Sequence, residues 1–96
     1  MTSEKALERK LKDVVRFNKG LYLKLLPFQF NGLPDRLCLL PGGIIFFAEI
    51  KTTKKKPGKL QAYIHRRIRT LGFKVFVIDT VEQIKEIAKL YESREL

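Results

Sequence analysis

Two runs of strand character, Arg36 to Leu40 and Ile44 to Ile50, flank the triplet Pro41-Gly42-Gly43. Nothing else in the chain constrains the fold as tightly. Strand-forming runs on either side of a Pro-Gly-Gly turn signal a β-hairpin. With a three-residue loop Leu40 faces Ile44, and counting outward along the ladder sets Asp35 opposite Glu49. Directly opposed residues carry their Cβ atoms about 4.5–5.5 Å apart on one face. Lys51 projects from that same face, because strand side chains alternate with a period of two. A loop one residue longer or shorter would send Asp35 and Glu49 to opposite faces. The turn therefore decides whether two carboxylates and an amine meet at one end of the hairpin.

The flanking segments read as helices and strands of ordinary length. Glu4 to Phe17 is predicted helical, with Ser3 or Thr2 as its N-cap and Asn18 to Gly20 as its stop. Its apolar stripe is Leu7, Leu11, Val14 and Val15. Leu21 to Leu26 reads as a short strand carrying Lys24, and Pro27 to Leu33 as the loop into the hairpin. After a basic linker, Lys59 to Leu71 reads as a helix with Leu60, Ile64, Ile68 and Leu71 inward. Gly72 closes it. Lys74 to Ile78 reads as a fully buried strand. Thr80 caps a last helix, Val81 to about Glu92, with Ile84, Ile87, Ala88 and Tyr91 inward. The order α-β-β-β-α-β-α is that of a small mixed β-sheet flanked by helices. At 96 residues the chain suits one domain, spanning 1–96, with one modest core.

Charge narrows the partners. Twenty Lys and Arg against ten Asp and Glu give a net charge of +10 and a pI near 10.0. A domain this basic most often meets nucleic acid, less often an anionic membrane or an acidic protein. No run is long enough to span a bilayer, and no apolar leader follows the first residues. The lone Cys38 excludes an internal disulfide and a cysteine zinc cage, and reads as a buried thiol. The expected compartment is the reducing cytoplasm, of the host if the chain is phage-encoded.

Connectivity then tells which ends meet. Short links make the first three strands antiparallel, so Leu25 and Leu26 come near Asp35. The first helix runs back along strand one and brings Glu4 and Glu8 to that end. The second helix starts there too, with Gln61 in its first turn, and its right-handed crossover makes strands three and four parallel.

Such a set suits metal-assisted hydrolysis. Asp35, Glu49, a helix carboxylate and the main-chain carbonyl of Ile50 are oxygen ligands of the kind Mg²⁺ prefers. The ion neutralises a phosphodiester and lowers the pKa of a bound water. Lys51 would position the hydroxide, and Gln61 would orient the water or hold a phosphate oxygen. A plain cross-strand salt bridge is the competing interpretation, although directly opposed acids repel. Lys54, Lys55, Lys56 and Lys59, with Arg66, Arg67 and Arg69 outside the helix stripe, are candidate phosphate contacts or a solvated surface. His65, one turn after Gln61, is a further candidate phosphate contact.

The wording of these segments resembles a known family. Gly32-Leu33-Pro34-Asp35-Arg36, Leu39-Leu40-Pro41-Gly42-Gly43, Phe47-Ala48-Glu49-Ile50-Lys51 and Gln61 look like the VRR-NUC branch of the PD-(D/E)XK nuclease superfamily, including its stand-alone phage and bacterial members. The resemblance covers nearly the whole chain, from the first helix to Thr80. It implies a restriction-endonuclease-like core, dependence on Mg²⁺ or Mn²⁺, and phosphodiester hydrolysis. It casts Asp35 and Glu49 as metal ligands, Lys51 as the catalytic lysine and Gln61 as the helix glutamine. The helix-one acid is Glu8, with Glu4 as the alternative. Small stand-alone members resemble Holliday-junction resolvases in acting as homodimers on branched DNA, and no organic cofactor is implied. For the dimer surface, the last helix and the Phe28-Gln29-Phe30 loop are candidates, the two Phe being equally suited to plugging the core. Against the nuclease stand a non-catalytic nucleic-acid-binding module and a nuclease subunit that needs a partner.

Overall fold

The computed structural model describes residues 3–26, 30–51 and 56–96. Its elements are α1 (Glu4–Phe17), β1 (Leu21–Lys24), β2 (Arg36–Leu40), β3 (Ile44–Ile50), α2 (Lys59–Thr70), β4 (Lys74–Ile78) and α3 (Val81–Glu92). The strands form one sheet in the order β1-β2-β3-β4. The first three are antiparallel, and β4 runs parallel to β3. This is the expected small mixed sheet with three flanking helices.

The hairpin has the expected register, Leu40 facing Ile44 and Arg36 facing Ala48. Gly42 and Gly43 have φ of 92° and 75°, a left-handed pair that a side chain would strain, so the triplet closes the turn in three residues.

One face of the sheet makes the core. Cys38, Leu40, Phe46, Ala48, Ile50 and Ile78 pack beneath Leu7, Leu11 and Val15 of α1 and Ile84 and Ile87 of α3. Ser3 starts α1 by accepting a hydrogen bond from the Ala6 amide at 3.1 Å. Thr80 and Gln83 start α3 with a capping box. Helix α2 packs on β4 and covers the opposite face only at that margin. There, Leu21, Leu23 and Ile45 stay exposed, and Leu37, Leu39 and Phe47 are half-buried. The alternation of side chains puts all six on this one face.

Three expectations change. Strand β1 ends at Lys24 rather than Leu26, although the Leu25 amide still donates to the Asp35 carbonyl at 2.8 Å. Strand β4 is a half-buried edge strand and not a fully buried one, with Lys74 exposed and only Val75 and Ile78 buried. Because α2 leans on that edge, its buried stripe is narrow. Ile64 and His65 are buried, whereas Leu60 and Leu71 are 51% and 68% exposed.

Candidate active site

Strand register alone brings Glu49 to Asp35. Asp35 sits in the bend just before β2, and its main-chain amide donates to Glu49 Oε1 at 3.1 Å. Lys51, two residues beyond Glu49, places Nζ 3.2 Å from Glu49 Oε2. Its own amide is anchored on the Ile78 carbonyl at 2.9 Å, so β4 fixes where this side chain begins. Asp35 and Lys51 are half-buried, and Glu49 is only 1% exposed.

Electrostatics follow from that burial. Desolvation, and then the Asp35 carboxylate beside it, push the Glu49 acid up to about 7, with Lys51 opposing. Two carboxylates against one ammonium leave the trio with one negative charge in excess within a chain of net +10. A buried excess of carboxylate with oxygen donors is a setting that a divalent cation relieves.

The bend carrying Asp35 is braced by α2. Gly32 has φ of 90°, and a Cβ there would lie 2.8 Å from Ile64 Cγ1 and 3.1 Å from Leu60 Cγ. Only glycine lets the loop pass this close to the helix.

Glu8 does not join the trio. It pairs with Arg36, Oε1 to Nη2 at 3.0 Å. Arg36 shares the α1 face of β2 with Cys38 and Leu40, whereas Asp35, one residue earlier, projects to the other face. Connectivity therefore brings Glu8 to the expected end of the sheet but across it. Glu4, in the first turn of α1, is half-buried. Among the described residues, no three His, Cys, Asp or Glu side chains are gathered where they could hold a metal ion. The candidate ligands that do lie together are Asp35, Glu49 and the adjoining Ile50 main chain. Two carboxylates suit Mg²⁺ nonetheless, because that ion commonly keeps several waters and takes other ligands from substrate phosphates.

Gln61 is half-buried in the first turn of α2. One turn on, His65 is buried at 2% exposure, so it is no surface phosphate contact. Among the described residues, its Nε2 has no hydrogen-bond partner. Burial, then Arg69 and Lys51, lower its pKa, with Asp35 acting the other way. His65 thus belongs to the surroundings of the carboxylate pair. The i, i+4 spacing from Gln61 was the available signal for it.

Arg36 is the second residue that pattern reading undervalued. Besides Glu8, its guanidinium reaches the Asp35 carbonyl at 3.1 Å and lies 5.5 Å from the centre of the Tyr22 ring. Burial raises Tyr22 to about 12 and the Cys38 thiol to about 12, Arg36 opposing in both cases.

Of the basic candidates, Lys56, Lys59, Arg66, Arg67 and Arg69 are exposed, while Lys54 and Lys55 lie outside the described residues. Arg69 is tied back to the sheet by donating to the Val75 carbonyl at 2.6 Å, and Arg66 lies 5.9 Å from the Tyr63 ring centre. Phe30 is exposed, and Phe28 and Gln29 lie outside the described residues.

No family model matches the chain. A relative named "Putative nuclease p44", from Acyrthosiphon pisum secondary endosymbiont phage 1, is 38% identical over 77 residues, covering 80% of this chain and 83% of its own. A solved structure described as a VRR_NUC domain matches with a TM-score of 0.82 and 34% identity, over 96% of this chain and 97% of that one.

Proposed function

This chain belongs to the VRR-NUC family of nucleases, and from that premise we propose that it is a Mg²⁺- or Mn²⁺-dependent endodeoxyribonuclease acting on branched DNA such as a Holliday junction. One observation carries the proposal. A buried glutamate is held between the Asp35 amide and the Lys51 ammonium, with a second carboxylate beside it.

Asp35, Glu49 and the Ile50 carbonyl would hold the ion. Bound there, it supplies a water of lowered pKa and neutralises the phosphodiester. Lys51 stands beside the ligands and orients the attacking oxygen, and Gln61 steadies the water or a phosphate oxygen. Glu8 would join the ligand set only by leaving Arg36 and crossing to the Asp35 side of the sheet, and Glu4 is the alternative helix acid. The basic groups from Lys54 to Arg69 track the phosphate backbone and give affinity without sequence preference.

A homodimer of single-domain chains fits a four-way junction, because two-fold symmetry presents two sites to it. The apolar patch of Leu21, Leu23, Leu37, Leu39, Ile45 and Phe47, on the sheet face that also carries Asp35, Glu49 and Lys51, is where two such cationic chains can meet without opposing their positive charges.

A second reading is favoured by the Glu8–Arg36 pair. With its helix acid engaged elsewhere, the chain would be a binding module, or a nuclease subunit that needs a partner. End-labelled junction, flap, duplex and single-stranded DNA, each in Mg²⁺, Mn²⁺ and EDTA, separate the two. Metal-dependent cutting that Lys51→Ala abolishes while still binding DNA supports the enzyme. Binding without cutting in either metal supports the module or subunit.

A further inference from the structure

Helix α2 differs from its neighbours in what it shows to solvent. From Lys59 to Thr70 it holds no acid, whereas α1 carries Glu4, Glu8 and Asp13 and α3 carries Glu82, Glu86 and Glu92. Buried Ile64 and His65 mark the side that rests on the molecule. At 3.6 residues per turn, Lys59, Tyr63, Arg66 and Thr70 line up on the other side, with Arg67 beside them. All five are exposed.

Tyr63 is the unexpected member. The chain's other tyrosines are engaged: Tyr22 lies half-buried beside Arg36, and Tyr91 donates its hydroxyl to the Pro41 carbonyl at 3.1 Å. Tyr63 is 50% exposed, with the Arg66 guanidinium 5.9 Å from the centre of its ring. The guanidinium takes one face of the ring. Half of the residue still meets solvent, so the ring has surface left on which to stack. Phosphates call only for the cations, but every base has a π-face that an aromatic ring can hold. In a paired duplex the neighbouring base pairs cover those faces, and an unpaired nucleotide offers one. A second copy of this chain would set like charges against each other on this helix, so charge favours nucleic acid as the occupant.

We propose that Tyr63 is a specificity-determining residue that stacks on an unpaired DNA base, while Lys59, Arg66 and Arg67 hold the flanking phosphates. The inference rests on the reading of the chain as a protein that acts on DNA, and it supplies what phosphate contacts lack, a means of telling a gap, flap or branch from plain duplex. Two residues separate Tyr63 from His65, which places them on opposite sides of α2. Tyr63 therefore meets the substrate away from the carboxylate pair and takes no part in the chemical step.

Binding is measured in EDTA to three DNAs of one length: a duplex, that duplex with a short single-stranded gap, and the gapped form with abasic sugars in place of its unpaired bases. The wild type should prefer the gapped duplex and lose that preference on the abasic form. Tyr63→Ala should weaken binding to the gapped duplex on the order of tenfold and to the other two by less than about twofold, and Tyr63→Phe should keep the preference. Fluorescence of 2-aminopurine placed in the gap should be quenched by the wild type and not by Tyr63→Ala. Equal losses on all three DNAs would make Tyr63 a general contact and overturn the proposal. So would a change in solution mass that accounts for the loss, or a wild type indifferent to the abasic change, an arm that needs no variant to fold. Cutting is scored separately in Mg²⁺. Gap preference without cutting would sink the nuclease and leave the stacking in place, and cutting without the preference would do the reverse.

Discussion

The Glu8 carboxylate lies 3.0 Å from the Arg36 guanidinium, on the opposite side of β2 from Asp35. This pair ties the first turns of α1 to the strand that begins beside the candidate site. Arg36 also holds the Asp35 carbonyl and stacks against Tyr22, so it is the centre of that polar cluster.

Replacing Arg36 should therefore cost more than replacing its partner. Arg36→Met leaves Glu8 without its cation and lowers stability by about 2 kcal/mol, less than a fully buried pair because Glu8 is a third exposed. Glu8→Gln costs about 0.5–1 kcal/mol. Urea denaturation of both variants checks the order, and a larger loss in Glu8→Gln would refute it.

Glu49 gives a pH dependence of definite sign. Its acid is raised in the folded state, from 4.5 to about 7, so folding favours the protonated form. The stability this confers is complete below about 4.5 and is lost as pH rises through about 7. In EDTA, Glu49→Gln should gain on the wild type across that window, reaching on the order of 2–3 kcal/mol at pH 8, and be catalytically dead. Taking the difference between the two proteins removes the titrations of groups remote from Glu49. A gap that shrinks as pH rises would reverse the assigned sign.

Gly32 is where α2 packs against the loop that leads into the Asp35 bend. Gly32→Ala meets both a left-handed backbone and the Ile64 side chain, which together should cost about 2 kcal/mol or more. Cleavage should fall further than the folded fraction does, because the displaced loop carries a carboxylate. Activity per folded molecule equal to wild type would show that the loop and the site are uncoupled.

The bare sheet face makes a prediction about assembly. Leu21→Glu with Ile45→Glu should leave the circular dichroism spectrum intact and weaken self-association on the order of 100-fold or more, at roughly 1.5–3 kcal/mol per apolar side chain. Light scattering across a concentration series reads this directly. An unchanged mass would refute this face as a surface of self-association.

Much of this architecture was legible because local chemistry set it. Two glycines in a three-residue turn decide the hairpin register, and the register decides that Asp35 and Glu49 share a face. Caps at Ser3 and Thr80 mark where helices begin. Glu8 shows where such reading stops. Connectivity says which end of a sheet an element reaches, while the one-residue step from Asp35 to Arg36 decides the face. His65 and Arg36 were undervalued because buried polar residues carry the composition of a surface. Leu60 and Leu71 misled for the opposite reason, since α2 rests on an edge strand and uses only a narrow stripe.

Cys38 has a practical bearing of its own. The chain's one thiol has no exposed surface and is held to about 12, far from its reactive thiolate form. Maleimide and disulfide reagents should pass it by while the fold is intact. A cysteine introduced on the exposed side of α2, at Arg67 for example, would be the only site to take a fluorophore or spin label. The signal of such a label could then follow the protein onto DNA without first stripping its native cysteine.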